Sequence, residues 1–270
     1  LEGGGRAGCA CGEMSRLSGV KDIYFSRVLP AFRQKPLLSA VALYCENGEI
    51  LKTAAWGLKK LGARKVRCVQ GDARSLREGE TGFLLSEDGR QLDCITEKGP
   101  VDRTQVDLLR LKLMAEQQGC MYDLPDVPRS AGRMHTWEQA DESELCLCQQ
   151  RRMEDGLAGL WMIGEAMKEG PLEMLLEAVP GTSIVCREVN CPEQDKSRIL
   201  YALCKKAALP YTLKKGMQVQ HEKGYATIVP DGIRPAVRIV SEAADMETAN
   251  ELCDFYDREI RRVLETEADF

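Results

Sequence analysis

Short apolar runs and stripes with helical spacing alternate along the first part of the chain. A short apolar run after residue 38 predicts a strand, and Asn47 then caps a stretch with helical periodicity. A polar turn at residues 86–90 separates two further apolar runs, which is the pattern of a hairpin. The predicted elements are a strand at 39–45, a helix at 50–61, strands at 65–69, 82–85 and 92–96, and a helix at 102–119.

The middle of the chain loses this periodicity. Residues 122–152 hold two prolines and many charges, so we predict a loop or a degraded region there. Helices are predicted at 153–167 and 171–178, the second beginning at a proline whose missing N–H does no harm at a helix start. Pro180-Gly181 then breaks the chain.

The last ninety residues have the clearest pattern. A strand at 183–189 and a helix at 192–208 precede strands at 217–221, 225–229 and 236–241. A long helix at 246–264 follows, whose apolar residues share one stripe: Ala249, Leu252, Cys253, Tyr256, Ile260 and Val263. Two helices against four strands predict a two-layer α+β domain with a four-stranded, mostly antiparallel sheet.

Composition limits the class of protein. The chain has 270 residues, with 37 Lys and Arg against 42 Asp and Glu, and 44% of its residues are hydrophobic. These values are typical of a globular protein of two or three domains and exclude a disordered chain. There is no long apolar run, no secretion signal and no basic block, so we expect a cytoplasmic protein with no membrane or nucleic-acid partner.

Twelve cysteines and two histidines raise the question of a zinc site. No Cys-x-x-Cys pair occurs, whereas a structural zinc site needs such pairs. We therefore expect reduced thiols that pack as small apolar groups, as at Cys45, Cys204 and Cys253. Cys146 and Cys148 lie in a polar stretch, where exposed reactive thiols are the alternative.

Three segments together carry a family resemblance. Residues 84–99 read Leu-Leu-Ser-Glu-Asp-Gly-Arg-Gln-Leu-Asp-Cys-Ile-Thr-Glu-Lys-Gly, an Asp-Gly pair at 155–156 opens an apolar helix, and residues 229–243 read Val-Pro-Asp-Gly-Ile-Arg-Pro-Ala-Val-Arg-Ile-Val-Ser-Glu-Ala. They resemble the metal loop, the third-domain helix start and the phosphate loop of the phosphohexomutases, the four-domain phosphoglucomutase and phosphomannomutase enzymes.

The resemblance implies a domain order. Residues 1–35 would be a linker or a cut end, and 36–118 would be an α/β domain like the family's second. Residues 119–180 would be a shortened version of the third α/β domain, and 181–270 the C-terminal α+β domain with the phosphate loop. Similar modules follow a nucleotidyltransferase domain in some bacterial chains, so an upstream sugar nucleotidyltransferase domain is one expected partner.

The metal loop departs from the family pattern. Ser86, Asp88 and Arg90 align with the family's three metal-binding aspartates. Three carboxylates would bring a charge of −3 to Mg²⁺, whereas one aspartate and one arginine cancel, so the affinity is lost. We expect no metal or other cofactor, and a solvated hairpin turn in its place.

Two further parts of the family's machinery have no counterpart in the sequence. Neither His135 nor His221 follows a serine, so the Ser-His-Asn-Pro motif that carries the phosphoryl group is missing. The sugar-recognition loop, Gly-Glu-x-Ser-Gly in the family, does not occur between Gly119 and Asp155. We therefore predict no catalytic residue in this chain.

The phosphate loop is partly kept. Gly232 and Arg238 match the family, whereas Asp231 replaces its serine and Ile233 its threonine. An aspartate repels phosphate and a lost hydroxyl removes a donor, but Arg234 adds a cation. The expectation is weak anion binding by Arg234, Arg238 and the Gly232 amide; the alternative is that Arg234 is only a surface charge.

These points predict a phosphohexomutase-like protein of hexose phosphate metabolism that is catalytically inactive on its own, a pseudoenzyme of an isomerase family. One alternative is an active intramolecular phosphotransferase completed by a missing domain or a partner. The other is a sugar-phosphate-binding or assembly module of a sugar nucleotidyltransferase.

Overall fold

The computed structural model describes residues 19–30, 33–71, 75–122, 124, 128–134, 137–138, 142–213 and 216–266. The described residues form two compact units. The first contains residues 19–124 and 134–179, and the second contains 128–133 and 180–266. The division of the first unit's residues into separate domains at 36–118 and 119–180 stays a prediction.

The first unit combines a mixed sheet with helices. Its elements are, in chain order, α1 (Val20–Val28), β1 (Ala40–Tyr44), α2 (Gly48–Lys60), β2 (Val66–Val69), β3 (Glu80–Leu85), β4 (Leu92–Thr96), β5 (Gly99–Pro100), α3 (Arg103–Gln118), β6 (Met121–Tyr122), β7 (Trp137–Glu138), α4 (Glu144–Met153), α5 (Gly156–Ala166) and α6 (Leu172–Glu177). The α/β character predicted for this part of the chain is confirmed.

Strand order brings two loops together in this unit. The sheet has the order β2-β1-β3-β4-β5, and β1 runs parallel to both β2 and β3. β3 and β4 form the predicted hairpin, with Leu85 opposite Leu92. Because the carboxyl ends of β1 and β3 lie side by side, the segment that follows β1 lies next to the hairpin turn that follows β3.

The core of the first unit centres on α5. All nine residues 156–164 of this helix are buried, which agrees with their apolar sequence. Trp161 is fully buried and contacts aromatic rings of α1 and α2: the ring centroids of Tyr24 and Phe25 each lie 5.2 Å away, and that of Trp56 lies 6.2 Å away. Helix α1 thus packs into this core, although the sequence predicted a linker or a cut end through residue 35.

The stretch 122–152 is more regular than predicted. It contains a 3₁₀ helix at Arg129–Arg133, strand β7 and helix α4, which Ser143 caps by accepting from the Cys146 amide. The prediction of an irregular loop is wrong for α4. Its buried face includes Gln149, whose side chain accepts from the Tyr122 amide and donates to the Cys120 carbonyl, so apolar periodicity does not show it.

The helix predicted at 153–167 begins later, at Gly156, and Met153 belongs to the end of α4. Asp155 caps α5 by accepting from the Ala158 amide. The buried guanidinium of Arg110 donates to the carbonyls of Arg152, Met153 and Asp155 at 2.6, 3.0 and 3.0 Å. Arg110 thereby connects the end of α4 to the start of α5 and stabilises the break between the two helices.

The second unit is the predicted two-layer α+β domain. Its elements are β8 (Ser183–Asn190), α7 (Asp195–Lys206), β9 (Tyr211–Thr212), β10 (Met217–His221), β11 (Gly224–Pro230), β12 (Ala236–Ala243) and α8 (Met246–Glu265). The sheet order is β8-β12-β11-β10-β9, with every pair antiparallel. It has five strands rather than the predicted four. The sequence did not predict β9, because a strand of two residues is too short to give a pattern.

One apolar cluster joins the helices and the sheet of this unit. Ile199 of α7, Ile260 of α8 and Ile239 of β12 are each fully buried in it. The stripe predicted for the last helix is largely the buried face of α8, which includes Ala249, Cys253, Tyr256, Ile260 and Val263. Amphipathic patterning therefore identified the core-facing side of α8.

A partly buried ion pair joins β2 and β3 across β1. The Arg67 guanidinium bonds both carboxylate oxygens of Glu80 and also reaches the Tyr44 hydroxyl at 3.2 Å. Glu80 is 8% exposed, and the Arg67 hydrogen bonds lower the pKa of its carboxyl to about 2. The folded state therefore gains stability from this carboxylate at neutral pH.

We expect Glu80→Gln to lower the free energy of unfolding by about 1–3 kcal/mol near pH 7, because Arg67 loses its charged partner. The pKa of Glu80 lies below its ordinary value of 4.5, so this contribution is complete above that value and disappears as pH falls through about 2. Urea unfolding from about pH 6 down to about pH 2 measures it.

The matched control is Glu49→Gln, which breaks the exposed pair between Glu49 and Lys52 and should change stability by less than about 0.5 kcal/mol. If the two variants lose the same stability at every pH, Glu80 has no special role.

Gly57 gives a second test of this core. A Cβ there would lie 2.2 Å from the Trp161 indole, so Gly57→Ala should destabilise the protein by about 1–3 kcal/mol. The sign is diagnostic, because Gly→Ala inside a helix ordinarily stabilises by about 1 kcal/mol.

Gly48→Ala, in the same helix, is the control for Gly57→Ala. A Cβ at Gly48 would approach only the Gln70 side chain, at 3.9 Å, so we expect a change within about 0.5 kcal/mol in the same urea titration. A stabilising Gly57→Ala would contradict the close packing of α2 against Trp161.

Candidate functional site

The turn between β3 and β4 is held by its own side chains. The Ser86 hydroxyl donates to the Asp88 carboxylate at 2.6 Å and accepts from the Gln91 amide at 2.9 Å. Asp88 also accepts from the Arg90 amide at 3.0 Å. The three residues aligned with the family's metal aspartates are therefore brought together, but they bond to one another.

The electrostatics of this turn do not fit a divalent cation. Hydrogen bonds from the Ser86 hydroxyl and the Arg90 amide lower the pKa of Asp88, so the carboxylate is ionised at neutral pH. Its second oxygen lies 3.8 Å from the Arg90 guanidinium. A single carboxylate beside a fixed cation is a poor donor set for Mg²⁺, which binds through several oxygens. In the part of the chain that the structure describes, no group of three His, Cys, Asp or Glu side chains is arranged to hold a metal ion.

Neighbouring elements fix the turn from behind. The Gly156 amide at the start of α5 donates to the Gly89 carbonyl at 2.9 Å, and the Asn47 side-chain amide donates to the Glu87 carbonyl at 3.2 Å. A Cβ on residue 156 would lie 2.6 Å from the Gln91 carbonyl oxygen, so only glycine fits there. The Asp-Gly pair recognised in the sequence thus caps α5 and supports the turn.

A depression of about 320 Å³ lies beside the turn, at the carboxyl ends of β1 and β3. Its polar lining includes the carboxylate residues Glu46, Glu87 and Asp93. The Cys45 thiol near it donates to the Ser86 carbonyl, and burial raises the pKa of this thiol. Cys45 is therefore a neutral packing group, as expected from the sequence.

The loop between β11 and β12 in the second unit contains the predicted anion-binding residues. Asp231 lies at its start, and one oxygen of its carboxylate accepts from the amides of Ile233 and Arg234, each at 2.9 Å. These two hydrogen bonds, assisted by the charges of Arg234 and Arg238, lower the pKa of Asp231 to about 2. The carboxylate is therefore ionised at neutral pH.

Both predicted arginines lie beside the same carboxylate. The second oxygen of Asp231 is 3.3 Å from an Arg234 amino nitrogen and 3.8 Å from Arg238 Nε. Arg234 also pairs with Glu188 of β8 at 2.9 Å. The structure thus brings Gly232, Arg234 and Arg238 into one loop region, with Asp231 among them.

A buried lysine that sequence reasoning missed supports this loop. Lys196 is 5% exposed, and its ammonium group donates to the carbonyls of Asp231 and Arg234 and to the Glu193 carboxylate. Lys196 lies in the first turn of α7, where a cation faces the positive end of the helix dipole. That unfavourable position is the sequence signal that could have pointed to a buried partner.

The two predicted regions belong to different units: the turn at 86–91 to the first and the loop at 231–236 to the second.

His221, one of the two histidines, bonds the Tyr256 hydroxyl at 2.9 Å on the second unit's sheet, and burial lowers its pKa. His135 lies outside the described residues. No helix among the described residues is long and apolar enough to cross a bilayer.

Comparisons with known proteins agree with these features. No protein-family model matches the chain. A probable phosphoglucosamine mutase from Methanopyrus kandleri is 28% identical over 172 residues, which cover 62% of this chain and 35% of that protein. The chain therefore spans about a third of the length of this curated relative.

Solved structures share the fold at low sequence identity. A phosphoglucomutase/phosphomannomutase family protein from Burkholderia thailandensis superposes with a TM-score of 0.64 at 15% identity, covering 92% of this chain and 65% of that one. N-acetylphosphoglucosamine mutase from Aspergillus fumigatus, solved with GlcNAc-6P and magnesium, gives a TM-score of 0.52 at 14% identity, covering 89% of this chain and 64% of that one.

The chain is therefore a mixed α/β protein whose fold is that of the phosphohexomutase structures. The chain is similar in sequence to a phosphoglucosamine mutase and in fold to phosphohexomutase structures, so the family resemblance stated from its sequence is confirmed.

The metal fit can be tested by restoring carboxylates to the turn. We expect Mn²⁺, followed by electron paramagnetic resonance, to show no bound ion with the wild-type chain. The double variant Ser86→Asp with Arg90→Asp should gain a site of roughly millimolar affinity or better, because three carboxylates then share the turn.

Arg90→Gln is the control for this experiment, because it removes the cation but adds no ligand and should gain nothing. Tight Mn²⁺ binding by the wild-type chain that Asp88→Asn abolishes would contradict the assignment.

Proposed function

We propose that this chain is a phosphohexomutase-like protein of hexose phosphate metabolism that transfers no phosphoryl group on its own. The observation that carries the proposal is the turn at 86–91. Its one aspartate accepts a hydrogen bond from Ser86 and lies beside Arg90. The turn therefore lacks the negative charge needed to bind Mg²⁺, the ion that would neutralise a phosphoryl group.

The proposed ligand is a hexose or hexosamine phosphate. Support comes from the curated relative, a probable phosphoglucosamine mutase, and from the fungal neighbour solved with GlcNAc-6P. We assign the phosphate group to Gly232, Arg234 and Arg238, which place two guanidinium groups where β11 ends and β12 begins. We assign no residue of this chain to the binding of the sugar hydroxyls.

A coupled mutase assay tests the lack of catalysis. The chain is incubated with glucose 1-phosphate, mannose 1-phosphate or glucosamine 1-phosphate, together with Mg²⁺ and the matching sugar bisphosphate. We expect no turnover above the blank, because no metal-held phosphoryl group can form at the turn.

An authentic phosphoglucomutase in the same cuvette is the positive control. Turnover at ordinary mutase rates, about 1 per second or faster, would overturn the proposal in favour of an active intramolecular phosphotransferase.

A further inference from the structure

The loop between β11 and β12 gathers four donors around a single point. The amides of Ile233 and Arg234 reach one oxygen of the Asp231 carboxylate, and the guanidinium groups of Arg234 and Arg238 flank the other. Two backbone amides with two arginines are the groups that proteins use to hold phosphate. Here the anion at that point belongs to the chain itself.

Contacts other than that carboxylate also hold the loop. The Lys196 ammonium bonds the carbonyls of Asp231 and Arg234 from the buried side. Backbone hydrogen bonds add to this: the Asp231 amide donates to the Ala236 carbonyl at 2.9 Å, and the Cys191 amide donates to the Pro235 carbonyl at 2.9 Å. Because these contacts do not involve the Asp231 side chain, we expect them to keep the donors in place when that side chain is shortened.

Charge at the loop is already balanced. Arg234 pairs with Glu188 and Asp231, and Arg238 lies beside Asp231, so two acids face two guanidinium groups. An incoming phosphate meets repulsion from Asp231 and must also displace it from two amides. Both effects act on the same side chain, so one substitution removes them together.

We propose that Asp231 is a built-in competitor for anions: its carboxylate occupies the positions that a phosphate group would take and so weakens the binding of phosphate and of phosphate monoesters. This inference rests on the assignment of Arg234, Arg238 and the Gly232 region as the anion site of the proposed function. It adds that the affinity of this site is set from within the loop.

Calorimetric titration of the full chain with inorganic phosphate tests the inference. Asp231→Ser should bind phosphate at least about tenfold more tightly than the wild type, since one gained charge-assisted hydrogen bond is enough for that factor. Asp231→Asn should lie between them, because its amide oxygen still accepts from the Ile233 and Arg234 amides but carries no charge. Glucose 6-phosphate is titrated in parallel, and a similar gain there shows that the phosphate group alone is read.

Asp245→Ser is the matched control. Asp245 is exposed, unlike the buried Asp231, but it also accepts from a backbone amide, that of Thr248 at 2.8 Å, so the substitution makes the same change in charge within the same unit. It should leave phosphate affinity at the wild-type value. Adding Arg238→Gln to Asp231→Ser should return the affinity toward that of the wild type, and circular dichroism checks that each variant is folded.

Equal affinities of the wild type and Asp231→Ser would overturn the inference, as would an equal gain in Asp245→Ser, which would indicate net charge alone. The assignment of the anion site fails separately. If the wild type binds phosphate and Arg238→Gln abolishes this, the site stands even when Asp231 has no effect; if no variant binds phosphate, both fail.

Discussion

Charged side chains that satisfy the polar groups of loop backbones are the interaction on which both candidate regions depend. A loop that connects two strands leaves backbone amides and carbonyls without partners in the sheet. Such groups, when buried, destabilise the fold unless they are hydrogen-bonded. In the first unit the Asp88 carboxylate accepts a hydrogen bond from the Arg90 amide. The Arg110 guanidinium donates to three carbonyls at the junction of α4 and α5. In the second unit the Asp231 carboxylate accepts from two amides, and the Lys196 ammonium donates to two carbonyls.

This form of stabilisation has a consequence for chemistry. A carboxylate that accepts hydrogen bonds from its own turn is held at fixed orientation and remains ionised, but it offers fewer free oxygens to a metal or a substrate. Asp88 and Asp231 are both in this condition, and each also lies beside an arginine. The fold is similar to that of the mutases, while the carboxylates of these two loops bond to the chain itself, which is consistent with the function that we propose.

Much of the architecture follows from local sequence patterns. The apolar run of β1, the Asn47 cap of α2, the hairpin of β3 and β4, and the amphipathic stripe of α8 each identify an element by itself. Three kinds of element escape such reasoning. Helix α4 buries the polar Gln149, β9 has only two residues, and α1 has one apolar patch that becomes a core face only when Trp161 lies against Phe25.

The sequence by itself determined which side chains at the two loops can carry a charge, because this follows from residue type alone. The residues concerned are Ser86, Asp88, Arg90, Asp231, Arg234 and Arg238. The sequence also carried the resemblance to the phosphohexomutases, through three short segments. Only the tertiary structure decided what those charges bind. The bonds of Arg110 to α4 and of Lys196 to the loop at 231–236 join residues more than 30 positions apart, and such distances are closed by the packing of helices and sheet rather than by any local pattern.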